Sequence, residues 1–380
     1  MTAIARTTGA VVLAAALIAS GLIWDIAWHR SVGRDTFWTA PHLLEYLAAL
    51  LVAVSCGWLI LRHSFGSATP ERERMVRFWG FRGPLGAWVC VWGSLAMLVS
   101  APFDNWWHNA YGLDVRIVSP PHLLLGVGMV AIVLGAMLMA LAEQNNAAGR
   151  ESRVLASLFA IAAALLVLTR ATMTMEYTGF PNLWRSRLFY LISAASFPVL
   201  LAAVARAGRL RWPATATAAL FMLFSLLLSW VLQYVPATPR LAPINNPVTH
   251  LVAAPFPVLL VVPALLFDLL HRALGDRRDW WLAGLLGVGF VIVLLAVSWP
   301  AAAFLLSPAA RNPLFLADQW DYSARLGPWR YEYWDAITDR RLLRAGSASL
   351  LKPFLFALLL GVLSSRVGLA LGSWMRKVRR

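Results

Sequence analysis

The sequence predicts an all-α integral membrane protein, a polytopic bundle of about ten transmembrane helices. Three observations carry that expectation. Apolar residues make up 60% of the 380 residues and charged ones only 13%, against roughly 25% charged in soluble domains, so lipid must be the solvent for much of the surface. The apolar runs reach about 20 residues, the length a helix needs to cross a hydrocarbon core of roughly 30 Å. Nineteen tryptophans occur, many of them where apolar runs end, as at Trp24, Trp28, Trp38, Trp106, Trp107, Trp280, Trp281 and Trp374, which is the placement of an interfacial belt.

In chain order the expected spans are 9–28, 43–62, 85–103, 121–142, 153–174, 188–206, 213–235, 248–270, 280–305 and 347–370. The apolar stretch after Arg6 imitates a signal peptide, but it leads directly into Trp24, Asp25 and His29 and is read as the first span. Arginine and lysine gather in the loops 62–84, 143–153, 206–212 and 271–279 and in the tail 376–380. The positive-inside rule then puts both termini in the cytoplasm and makes this an integral protein of a bacterial inner (plasma) membrane. Four regions follow: a duplicated helical-hairpin region at 1–150, with repeats at about 9–62 and 85–142; further spans at 151–305; an aromatic-rich extracytoplasmic segment at 306–346; and the last span with its basic tail at 347–380.

The net charge of +15 is explained by these loops and needs no nucleic-acid partner; the partner it implies is the lipid bilayer. Cys56 and Cys90 both lie inside apolar runs and form neither a disulfide framework nor a metal spacing. Asp268 and Arg272, four apart, are expected to pair.

The duplication carries the chemistry. Asp25 and His29 close the first span and His42 opens the second; Asp104, His108 and His122 follow them by 79, 79 and 80 residues. Residues four apart share a helix face, so Asp25 with His29, and Asp104 with His108, stand one turn from each other. Thr39 as N-cap and Pro41 in the first turn place His42 at a helix start, and Ser119-Pro120-Pro121 does the same for His122. A tight hairpin brings each opening turn beside the preceding span's end. Each triad offers two imidazoles and a carboxylate with open positions, a donor set that suits copper, zinc or non-haem iron. Ionisable groups at a membrane edge are costly unless they serve a purpose. Asp35, Glu45, Asp114, Glu176 and His250 are the further candidates, as groups that orient or tune the ligands or add to them.

The run Asp25-x-x-Trp28-His29, Arg34-Asp35-Thr36, Thr39-x-x-His42-x-x-Glu45 resembles the metal-site segment in one of the membrane subunits of the particulate methane and ammonia monooxygenases, the copper membrane monooxygenase family. Val118-Ser119-Pro120-Pro121-His122 resembles the entry to the next helix of that same family subunit. The resemblance covers about residues 20–145. It implies copper at Asp25, His29 and His42, and again at His108 and His122, with Asp104 standing where the family has Asn. It implies oxidation of a small apolar substrate with dioxygen, together with other monooxygenase-type subunits or a second copy of the chain. The chain is longer than the family member it resembles and has no cupredoxin-like β domain. The competing expectation is a protein that delivers or transports metal without catalysis.

Overall fold

The computed structural model describes residues 2–67, 70–112, 119–146, 149–275, 279–324 and 346–379. It is helical almost throughout: α1 (Ala3–Ser31), α2 (Ala40–Phe65), α3 (Leu85–Tyr111), α4 (Pro120–Asn146), α5 (Gly149–Met173), α6 (Arg187–Ala207), α7 (Pro213–Leu232), α8 (Val261–Leu274), α9 (Asp279–Leu305) and α10 (Gly346–Met375). Every one of these except α8 contains a stretch long and apolar enough to cross a membrane, nine among the described residues. Apolar side chains cover the outside as well as the core, with Leu47, Val54, Leu95, Val127, Leu227 and Ile292 all more than two-fifths exposed. That is expected where the solvent is lipid.

Two compact units form. One comprises Met1–Leu22, Asp35–Thr169 and Trp374–Arg380; the other comprises Ile23–Arg34 and Arg170–Ser373.

In the first unit α3 and α4 pack along their length because glycines remove the side chains between them. A Cβ on Gly93 would lie 2.8 Å from the Gly128 carbonyl oxygen, and one on Gly128 would lie 2.7 Å from that of Gly93; Gly86 and Gly135 face each other in the same way one heptad further along. Small residues are the usual means of close helix approach in lipid. Gly93→Leu is expected to cost about 2 kcal/mol or more by forcing the backbones apart, visible as a fall in thermal midpoint in detergent. At the far end of α4 the Thr2 hydroxyl donates to Glu143 at 2.7 Å, and the Asn145 carboxamide donates to the carbonyls of Met375 and Val378 at 3.1 and 2.7 Å. Both chain ends therefore lie at the C-terminal end of α4. His122, in its first turn, is about 35 Å away at 1.5 Å per residue.

Between α2 and α3 lies a two-stranded hairpin, β1 (Val76–Phe78) and β2 (Phe81–Gly83). Trp79 and Gly80 turn it, both at positive φ, as a two-residue hairpin turn requires. Trp79 is 81% exposed, between Arg77 and Arg82.

In the second unit the span expected at 248–270 is not one helix. Residues 251–260 form no regular element, and α8 starts only at Val261. Pro255 and Pro257 supply the reason: each lacks an N–H and pushes the residue before it out of the helical region. Fourteen residues of helix reach about 21 Å, too short to cross alone. This irregular backbone is buried among protein atoms, with Leu251, Val252, Val258 and Leu260 all inside, the setting in which irregular backbone is tolerated in lipid. Side chains meet two of its polar groups: Val252 N–H donates to the Ser31 hydroxyl at 2.6 Å, and the Arg30 guanidinium donates to the Ala253 carbonyl.

The end of α1 is tied to two distant segments of the same unit. Arg240 N–H donates to Val32 O, and Tyr322 N–H donates to Arg30 O. Asn245 and Asn246 in turn donate their backbone N–H groups to Tyr322 O. Tyr322 is buried against Gly33, whose φ of +82° and missing side chain both suit the close approach. Burial, and after it the Asp321 carboxylate, raise the Tyr322 phenol above the usual tyrosine range, so its hydroxyl stays neutral. Of the aromatic segment expected at 306–346, residues 325–345, with Trp329, Tyr331, Tyr333 and Trp334, lie outside the described residues.

Asp268 does not act through Arg272. Its carboxylate accepts from Ala214 N–H at 3.1 Å, and from Thr215 N–H and the Thr215 hydroxyl at 2.8 and 2.7 Å, capping α7 from another helix. Arg272 lies instead over the Trp212 ring, at 4.0 Å. A helix start with free N–H groups attracts a carboxylate more strongly than one exposed arginine does. Asp268→Ala is expected to cost about 2 kcal/mol, since it orphans two buried N–H groups, and a denaturation series on the purified protein would read it.

Candidate metal centre

The first unit contains one whole triad. α3 ends where Gly112 takes a φ of +89° and its N–H returns to His108 O at 3.0 Å. That leaves Asp104 and His108 on the last turns. α4 begins at Pro120, with Leu123 N–H bonded to Ser119 O at 2.9 Å, and the preset φ of proline favours that start. His122 thus stands in the first turn. The three side chains meet as the sequence spacing anticipates: Asp104 Oδ2 is 3.3 Å from His108 Nε2, and Asp104 Oδ1 is 3.4 Å from His122 Nε2.

The hydrogen placement in this cluster matters. His108 Nδ1 faces the Gly112 carbonyl at 3.4 Å. A carbonyl only accepts, so in the tautomer that donates Nδ1–H to Gly112 the lone pair is on Nε2, the nitrogen that faces the Asp104 carboxylate. In that tautomer Nε2 is the ligating nitrogen. Metal-ligating histidines commonly donate their other N–H to a backbone carbonyl in this way. His122 Nδ1 is buried with no hydrogen-bond partner, so only its Nε2 side is engaged.

The residues fit a metal by chemistry: two imidazoles, one carboxylate, and a ring fixed from behind. They are not drawn into one closed shell. Among the described residues of this unit no three ligand atoms from Asp104, His108 and His122 lie within 4.8 Å of one another; each ring holds a separate oxygen of Asp104. A single ion would pull the two rings toward each other.

The other triad divides between the units and is described in its parts. In the first unit His42 repeats the pattern of His108. Its Nδ1 lies 3.0 Å from Thr36 O and its Nε2 lies 3.5 Å from Asp35 Oδ2, so Asp35 does engage an imidazole, as the sequence suggests. Thr39 occupies the N-cap of α2, but its hydroxyl accepts from Thr36 N–H at 2.7 Å rather than from the helix. It thereby shapes the loop that offers the Thr36 carbonyl. In the second unit Asp25 Oδ2 and His29 Nε2 are 3.7 Å apart on adjacent turns of α1, with the His29 side chain 46% exposed.

Glu45 is buried, and a Cβ on Gly21 of α1 would run into its side chain. Glu176 is exposed on a short helix, Met175–Thr178. His250 faces the hydroxyl of Thr249 at 3.0 Å. Among the described residues neither is joined to a triad residue by a hydrogen bond or ion pair. Asp114 lies outside the described residues. Sequence reasoning missed the carbonyls of Thr36 and Gly112, the groups that orient the two rings. The available signal was Gly112 itself, a helix stop placed four residues after His108.

Aromatic rings surround the triad end of α3: Trp106 stacks on Phe103 at 6.0 Å, Trp107 lies 4.5 Å from Tyr111, and Trp106 and Tyr111 are largely exposed. Exposed rings of this kind are what an interfacial belt is made of. In comparisons with known proteins, no family model, no curated protein and no solved structure matches the chain.

Proposed function

We propose that the chain is a membrane-embedded copper-binding protein, an oxidoreductase of the monooxygenase type or a component of one, working with dioxygen on a small apolar substrate. The observation that carries this reading is the set of histidines whose Nε2 atoms face carboxylates while backbone carbonyls hold their Nδ1–H groups, at His108 and again at His42. Asp104, His108 and His122 would hold one ion; Asp25, His29 and His42 are the second set that the resemblance to the copper membrane monooxygenases implies. Bound copper would supply the one-electron and dioxygen chemistry that no side chain here offers. The protein's part is to present neutral imidazoles, fix their tautomers, and keep an apolar surround through which a small hydrocarbon can arrive from lipid.

The topology belongs to the same proposal. Arg376, Lys377 and Arg379 sit with the chain ends at the C-terminal end of α4, so that side is assigned to the cytoplasm and the triad to the outer face of a bacterial inner membrane. Both chain ends on one side require an even number of crossings. Residues 248–274, irregular and then helical, supply the tenth.

A second reading, metal delivery or transport, is favoured by one observation, the broken segment 251–260. Discontinuous helices buried at membrane depth are a common feature of transport sites.

The test is elemental analysis of protein in nanodiscs after copper loading and dialysis, followed by oxygen uptake with a reductant and a small alkene. One or two copper ions per chain with substrate-dependent oxygen uptake supports the oxidoreductase. The same copper without uptake, but with copper movement into sealed vesicles, supports transport. No retained copper overturns both.

A further inference from the structure

The second unit contains a cavity that the metal reading does not use, bounded by Arg30, Asn182, Arg311 and the rings of Phe180, Phe256 and Trp320. Arg30 is only 9% exposed. Burying a guanidinium is costly unless its donors are occupied, and it has five N–H groups. Among the described residues it makes one hydrogen bond, to the Ala253 carbonyl. It also lies over the Phe180 ring at 5.6 Å, with Asp321 as its electrostatic partner. Arg30 lines the cavity with donors that no hydrogen bond among the described residues takes up.

Two further features point to a ligand. Asn182 is 7% exposed, and its Oδ1 is buried with no hydrogen-bond partner; turned over, the same carboxamide offers N–H instead. Arg311 brings a second guanidinium, while no acidic side chain of the described residues lines the cavity. The scaffold around Asn182 is fixed from behind: Trp184 Nε1–H donates to Thr178 O and the Tyr190 hydroxyl donates to Trp184 O, each at 2.9 Å.

We propose that this cavity binds a small oxyanion carried on an apolar chain, with Arg30 and Arg311 as charge partners and Asn182 as a third polar contact. Planar guanidinium groups match carboxylate and phosphate oxygens, and the remaining wall is aromatic and aliphatic. The cavity measures about 50 Å³, a third of the roughly 150 Å³ that holds a benzene. It takes a head group, and the chain lies outside it. A free fatty acid and an anionic phospholipid share this chemistry.

The experiment uses the full chain, stripped of metal by chelation, in nanodiscs of phosphatidylcholine. Decanoate, dihexanoyl phosphatidate and decanol are titrated, with binding read by native mass spectrometry and thermal midpoint. Wild type is expected to bind decanoate, the phosphatidate or both, and not decanol. Decanoate alone identifies a free acid as the occupant; the phosphatidate alone identifies a lipid head group. Arg311→Gln and Asn182→Leu are expected to weaken binding at least tenfold. Arg30→Gln is expected to abolish binding and to lower the unliganded midpoint as well, since it also releases Ala253. The proposal is overturned if neither anion binds, if decanol binds equally well, or if Arg311→Gln and Asn182→Leu both bind like wild type. Chelation keeps this result separate from the copper reading.

Discussion

Asp104→Ala is expected to lower copper affinity at the α3–α4 site by about 100-fold or more while leaving the fold intact. The carboxylate is the shared element, one oxygen to each imidazole. Without it His108 and His122 lose the charge that would neutralise a divalent ion and the group that keeps their rings convergent. Loss of an outer partner alone typically costs 10–100-fold, so loss of a ligand should reach the top of that range. The side chain lies near the end of a helix, partly exposed, and its removal opens no core cavity. Asp104→Asn keeps the shape and removes the charge; it should bind more weakly than wild type and more tightly than Asp104→Ala. Equilibrium dialysis against a copper chelator ranks the three proteins. Equal affinities would show that the histidines do not converge on metal.

Asp279→Ala is expected to destabilise the second unit by about 3 kcal/mol or more. Its partner Arg206 is almost fully buried and meets the Asp279 carboxylate through two nitrogens, at 2.7 and 3.1 Å. Arg206 also donates to Leu369 O and the Ser373 hydroxyl, so one guanidinium joins α6, the start of α9 and α10. Removing the carboxylate takes a charge partner from a buried guanidinium, and breaking one side of such a pair typically costs 3–5 kcal/mol. Removing both charges is a different matter: Arg206→Met with Asp279→Leu should recover most of the loss. Thermal midpoints of the single and double variants decide it. A double variant no better than Asp279→Ala would mean that the links to α10, and not the charge, hold the unit.

How far these features were legible in the sequence follows from what sets each of them. Long apolar runs are a property of composition, so nine of the expected spans reappear as membrane-length helices, with ends within about six residues except that the third runs on to Tyr111. The meeting of Asp104, His108 and His122 was legible because it depends only on helix periodicity and one short loop. The break at 251–260 was not weighted enough: an average over 20 residues hides two prolines whose local effect is decisive. Asp268 was misassigned because its partners, the N–H groups at 214 and 215, belong to every sequence and mark none. Backbone groups also orient His42 and His108.

The bonds that fasten the end of α1 have a consequence in time. Synthesis runs from the N-terminus, so α1 is made among the first residues, but the groups that hold its end, at 240, 252 and 322, emerge roughly 200 to 300 residues later. At about 5–20 residues per second that is a wait of ten seconds to a minute. Through that interval Asp25 and His29 stand on a helix whose end lacks its bonds to residues 240, 252 and 322. Asp104, His108 and His122 are complete as soon as residue 122 has been inserted. The two halves of the duplication thus mature in reverse order: the copy nearer the C-terminus is ready first, and the copy nearer the N-terminus waits for most of the chain.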